Sequence, residues 1–131
     1  MRIISRMWWL ALASLLLLAA CGAQPVVSKI SVGELKADLA RQEPMLLLDV
    51  RSAQEFTVDG HVAGAILIPL PELERRLNEL PTDRPIACIC HSGNRSTTAC
   101  DLLARHGFTR LRNVQGGMIA WAQAGYPIQR G

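Results

Sequence analysis

Residues 45–50, Met-Leu-Leu-Leu-Asp-Val, narrow the choice of fold more than any other stretch of the chain. Apart from Asp49 the run is apolar at odd and even positions alike. As a strand it would be buried on both faces, the habit of a strand inside a parallel sheet with helices on each side. What surrounds it fits that habit. Ser31-x-x-Glu34 is a capping-box pattern, and Leu35 and Leu39 follow at helical spacing. Ser52 opens a short helical stretch holding Glu55 and Phe56. Residues 60–65 are a glycine-rich loop, and 65–68 a short strand. Residues 69–80 place Leu70, Leu73, Leu77 and Leu80 on one side and read as a single amphipathic helix. A proline-bounded break at 81–85 leads to a strand over 86–90. A helix is expected over 95–106, with Gly107 to end it and His106 suited in charge to that end. A strand over 111–114 and a last helix from Gly116-Gly117 through Trp121, which is expected in the core, complete the pattern, with Gly125 and Pro127 closing the chain.

Strands alternating with helices predict an α/β domain with a mostly parallel sheet. Sites in such sheets lie at the carboxyl ends of the strands, where Asp49, Arg51 and Cys90 fall. Cys90 carries the most chemistry. It ends a strand and begins the loop Cys90-His91-Ser92-Gly93-Asn94-Arg95-Ser96, which feeds a helix. Such a loop can turn several backbone N–H groups toward one spot, where the unpaired N–H groups of the first helical turn also point. With the Arg95 guanidinium added, that field favours a thiolate, which is the nucleophilic form of cysteine. Cys90 is therefore the expected reactive atom. Cys88-x-Cys90-His91 lacks the second pair of ligands that structural zinc needs, so neither a metal nor another cofactor is expected.

The chain has 131 residues, enough for one domain. Arg2 and Arg6 precede an apolar run over 7–20 that is shorter than the roughly 20 residues needed to span a bilayer as a helix. A basic start, an apolar core and small residues before a cut site predict a secretory signal over 1–20. Without Arg2 and Arg6 the formal charge falls from +3 to +1, which removes any electrostatic case for nucleic acid. Four cysteines are present. If Cys21 is modified, Cys88, Cys90 and Cys100 form an odd set, so at least one thiol is left unpaired. Cys88 and Cys90 share a face of one strand, but the extended backbone holds them too far apart for an easy disulfide.

Two resemblances add to this reading. Leu18-Ala19-Ala20-Cys21 resembles the lipobox of bacterial lipoproteins, which implies cleavage before Cys21, its acylation, and a lipid bilayer as partner. Residue 23 is Ala rather than Asp, resembling lipoproteins passed on to an outer membrane. Residues 21–29 then read as a lipid-anchored tether and 30–131 as the domain, exported to the periplasm or cell exterior. The domain resembles a single rhodanese domain. The resemblance rests on Leu48-Asp49-Val50-Arg51, Glu55-Phe56, Gly60-His61-Val62-Ala63-Gly64-Ala65, the loop from Cys90 to Ser96, and Gly116-Gly117 with Trp121 and Pro127, in that order. It implies a five-stranded, mostly parallel sheet flanked by helices and a cysteine that forms a persulfide. It also implies transfer of sulfane sulfur from a donor such as thiosulfate to a thiol or cyanide. Four residues separate Cys90 from Arg95, one fewer than in relatives acting on phosphate or arsenate esters, so the loop suits a single extra sulfur. His91 stands where the family often has Arg or Lys.

On this reading Cys90 is catalytic, and His91, Ser92, Gly93, Asn94, Arg95 and Ser96 hold donor and persulfide. Arg95 either binds the donor or pairs with a carboxylate, and Glu55 is a candidate partner for Arg51 or Arg95. Asp49, Arg51 and His61 are expected as braces. Two alternatives stay open: a rhodanese-fold binding module without turnover, and a thiol–disulfide exchanger using Cys88 or Cys100.

Overall fold

The computed structural model describes residues 22–131. The expected signal segment and Cys21 lie outside them. Five strands form one sheet: β1 (Val26–Ile30), β2 (Leu46–Asp49), β3 (Ile66–Leu67), β4 (Ile86–Ile89) and β5 (Arg110–Val114). Their order is β1-β5-β4-β2-β3, and every pairing is parallel. The helices are α1 (Val32–Ala40), α2 (Leu70–Leu73), α3 (Asn94–Arg105) and α4 (Gly117–Gln123). The capping box opens α1 as its residues demand: Glu34 N–H donates to Ser31 Oγ at 3.1 Å, and Ser31 N–H donates to the Glu34 carboxylate at 2.7 Å.

Both faces of the sheet are covered, and β4 shows how. Successive side chains of a strand alternate in direction. Ile86 and Cys88 pack with Leu48, Leu73, Ala99, Cys100 and Leu103 under α2 and α3. Ala87 and Ile89 pack with Leu35, Leu47, Met118 and Trp121 under α1 and α4. Each buried residue of leucine size contributes about 1.5–3 kcal/mol. Trp121 is 2% exposed and donates its indole N–H to the Pro127 carbonyl, so its packing also fastens the C-terminal segment.

Two expectations need correction. Residues 26–29 are not tether: they belong to β1, the edge strand paired with β5 from Val26↔Arg110 to Ile30↔Val114. Four of the five β1 residues are exposed, so the strand shows no apolar alternation to read. Residues 69–80 are not one helix. After α2 the chain tightens into a 3-10 helix (Glu74–Glu79), with Arg76 at φ −118°. Leu70, Leu73, Leu77 and Leu80 recur on average about every 3.3 residues, between the 3-10 and α periods, and the tighter turn keeps them facing the sheet.

The topology places the site. From β2 the chain continues outward to β3, whereas from β4 it continues the other way to β5. The loops after these adjacent strands diverge, leaving a crevice at their carboxyl ends.

Candidate active site

Cys90 follows the last residue of β4 in that crevice and is 1% exposed. Gly93 takes φ +105°, a conformation that favours glycine, and turns its N–H onto Cys90 Sγ at 3.1 Å. Ser96, in the first turn of α3, places Oγ 3.4 Å from the same sulfur. Burial alone resists ionisation of this thiol. Hydrogen bonds from the Ser96 hydroxyl and from the N–H groups of Ser96, Gly93 and Ser92 outweigh it, so the Cys90 thiol lies below the ordinary cysteine range.

The Ser96 hydroxyl has one proton and several acceptors. Asn113 Oδ1 lies at 2.6 Å and the Gly93 carbonyl at 3.1 Å. Asn113 in turn donates to Thr97 Oγ1 at 2.8 Å, and Thr97 donates to the Gly93 carbonyl at 2.8 Å. With Cys90 as a thiol, its S–H donates to Ser96 Oγ and Ser96 donates on to Asn113. With Cys90 as a thiolate, the Ser96 proton turns to sulfur. Asn113 and Thr97 were not identified by sequence reasoning. The available signal was a carboxamide between the apolar residues of β5, in Leu111-Arg112-Asn113-Val114.

Helix α4 pins the loop from its other side. Met118 N–H donates to the Cys90 carbonyl at 2.8 Å, and Ile119 N–H to the His91 carbonyl at 3.1 Å. This close approach requires Gly117: at φ +54° a Cβ there would stand 2.6 Å from the His91 carbonyl oxygen and collide with that of Cys90.

Arg95 pairs with Glu55 through both Nη atoms, at 2.8 and 2.6 Å. The Arg95 hydrogen bonds, aided by Ser52, hold the Glu55 carboxyl down at about 2. Ser52 N–H and Oγ reach that carboxylate at 3.0 and 2.9 Å, fixing it at the head of a short π-helical turn (Glu55–Asp59). Asp49 and Arg51 form a buried pair at 2.7 Å, and Arg51 also donates to the Gly60 carbonyl at 2.8 Å. Both are braces that tie the end of β2 to the following loop. His61 bonds through Nδ1 to the Phe56 carbonyl at 2.9 Å and stacks on the Phe56 ring at 3.7 Å, a structural arrangement.

Of the remaining loop residues, His91, Ser92 and Asn94 are exposed. Cys88, Cys90 and Cys100 are all free and buried. Hydrogen bonding with Cys100, burial and the neighbouring thiols push the Cys88 thiol well up, so it is a poor nucleophile.

Comparison with known proteins bears on the family and the fold. The model of the rhodanese-like domain matches residues 31–124. A sulfurtransferase of Allochromatium vinosum is 38% identical over 103 residues, covering 79% of this chain and 95% of that protein. A putative sulfur carrier protein of Bacillus subtilis is 38% identical over 95 residues, covering 72% of this chain and 51% of that longer protein. Among solved structures, a rhodanese-related protein of Thermoplasma volcanium superposes with TM-score 0.71 at 32% identity, covering 79% of this chain and 99% of that one.

Proposed function

Because the chain belongs to the rhodanese-like family and has a sulfur-transfer role at the level of that family, we propose that it carries sulfane sulfur as a persulfide on Cys90. The observation that supports this most is the convergence of the Gly93 N–H and the Ser96 hydroxyl on Cys90 Sγ. A binding module without turnover has no need of donors aimed at a thiol.

The reaction has two halves. The Cys90 thiolate attacks the outer sulfur of a donor of the R–S–S or thiosulfate type, forming a new S–S bond while the donor's S–S bond breaks. The departing thiolate or sulfite takes the electron pair. The outer sulfur of the persulfide then carries the negative charge, which the N–H groups now directed at Cys90 Sγ would stabilise. Pre-aimed donors of this kind are each worth about 3 kcal/mol where charge develops. An acceptor nucleophile, a thiol or cyanide, removes the outer sulfur and restores the Cys90 thiolate. Arg95 and Glu55 hold the start of α3 in place, and α4 holds the carbonyls of Cys90 and His91.

The test is thiocyanate formation from thiosulfate or a persulfide and cyanide. Wild type is expected to turn over and Cys90→Ser to be inactive while folded; activity in Cys90→Ser would overturn the assignment.

The same proposal extends to location. Cleavage before Cys21 and acylation there would hold the domain at a bilayer outside the cytoplasm, with residues 22–25 linking the lipid to β1. The mass of the membrane-extracted protein tests this: a chain beginning at acylated Cys21 is expected, and one still beginning at Met1 would contradict it.

A further inference from the structure

Acylation of Cys21, on which this inference rests, bears on which end of the domain meets the bilayer. Every strand pair is parallel, so the strands begin at one pole of the sheet and finish at the other. Cys90 occupies the carboxyl pole. The tether enters at the amino pole, where residues 22–25 precede Val26 at the start of β1. Fully extended, the steps from Cys21 to Val26 reach at most about 18 Å, at ~3.6 Å per residue. Val26 pairs with Arg110 and Ile86 with Leu111, which sets Pro85 level with Arg110. Cys90 lies five residues beyond Pro85, about 17 Å along the sheet. The lipid could stand level with Cys90 only if the whole tether ran back, fully extended, along β1.

The amino pole has the surface for such a contact. Val26 is 64% exposed and Val27 43%. Val26, Ser28, Pro85 and Leu111 line a groove of about 170 Å³ that Arg110 and Arg112 complete. Apolar side chains beside guanidinium groups suit the boundary between acyl chains and headgroups, where the first are covered and the second meet phosphate. The carboxylates at this pole are answered: Asp83 by Arg84 at 3.1 Å, Glu43 by Arg41 at 3.4 Å, and Asp38 by Arg112 at 2.8 Å. Glu74 faces His106 at 3.2 Å. Arg105 and Arg110, both exposed, add two positive charges to these groups. The pole is therefore slightly positive, which favours anionic lipid. We propose that the amino pole of the sheet, centred on Val26 and Arg110, docks on an anionic bilayer and holds Cys90 facing water. Sulfur then reaches and leaves Cys90 from the aqueous side.

The experiment places the membrane-extracted chain in bicelles that contain phosphatidylglycerol and a small share of a gadolinium-chelate lipid. Relaxation of backbone amide signals reads each residue's distance from the headgroups. Amides of residues 26–28, 83–84 and 109–111 are expected to relax at least tenfold more than those of 91–95 and 117–119. Val26→Glu with Arg110→Glu alters two exposed side chains and no buried contact. It is expected to bring the two groups of amides within about twofold of each other while the chain stays bound. Equal relaxation of both groups in the parent protein, stronger relaxation around Cys90, or a double variant that keeps the parent's contrast overturns the docking surface while leaving acylation at Cys21 intact. Signals of residues 26–30 that shift with protein concentration would put a second copy on β1 and overturn it too. A chain that still begins at Met1, or that does not bind the bicelles, overturns the location itself and this inference with it.

Discussion

Replacing Ser96 by alanine removes one hydroxyl and should raise the pKa of Cys90. The hydroxyl lies 3.4 Å from Sγ and favours the thiolate. A hydrogen bond to a charged group is worth about 1.5–3 kcal/mol, and one pKa unit corresponds to about 1.4 kcal/mol. The lower end applies, because the hydroxyl must leave Asn113 Oδ1, at 2.6 Å, to serve the sulfur. The expected rise is about one unit, which means roughly tenfold less thiolate below the pKa. The N–H groups of Ser92, Gly93 and Ser96 remain, so the sulfur still ionises. Stability should fall by about 1–3 kcal/mol as well, since Asn113 loses a buried donor. The assay is the rate of iodoacetamide alkylation against pH, with thiolate absorbance near 240 nm as a second reading. Cys21, Cys88 and Cys100 are replaced by serine or alanine in both proteins, so that Cys90 is the thiol read. The midpoint should move up by about one unit while the high-pH plateau stays in place. An unchanged or lowered midpoint in a folded Ser96→Ala protein would refute the assignment of the hydroxyl as a thiolate donor.

Three other perturbations have expected outcomes. Glu55→Gln should cost about 1–2 kcal/mol at pH 7, a figure discounted because Arg95 is partly exposed. Glu55 is lowered from 4.5 to about 2 chiefly by Arg95, so this stabilisation is present above pH 4.5 and lost as pH falls through about 2. Urea unfolding at several pH values should show the two proteins converging at the acid end, and a gap independent of pH would contradict the ion pair's role. Gly117→Ala should lose about 2–4 kcal/mol through overpacking and a left-handed backbone. It should also load sulfur about a hundredfold more slowly, because the Cys90 carbonyl must move; a parent-like melting temperature would show that α4 does not pin the loop. Arg51→Met should cost about 3–5 kcal/mol in urea unfolding by leaving buried Asp49 unpaired, and a loss below about 1 kcal/mol would remove Arg51 from the list of braces.

The sequence made the centre of the sheet legible and its edge obscure. Residues 45–50 and 86–90 lie in the middle, where burial on both faces writes continuous apolar runs. Val26 and Val27 in β1 are held by backbone pairing to β5 and stay exposed, so no pattern of burial marked them. Cys90 was legible because its chemistry is local: strand end, glycine turn and helix start lie within seven consecutive residues. The choice between Arg51 and Arg95 as the partner of Glu55 was not legible, because it depends on how two loops 40 residues apart meet in the crevice. Asn113 was hidden for the same reason, reaching Ser96 across 17 residues from the neighbouring strand. Leucine spacing over 69–80 announced an amphipathic segment, and the choice between α and 3-10 turns lay in packing against the sheet.

The central claim is that Cys90 carries the sulfur, and the most direct measurement is intact mass of the full chain, fully reduced and then treated with a persulfide or thiosulfate, beside Cys90→Ser. The account predicts a gain of one sulfur, mapped by peptide digestion to Cys90, absent in the variant and removed by cyanide. Sulfur found on Cys88 or Cys100, or a loss of two hydrogens marking a disulfide instead, would contradict it.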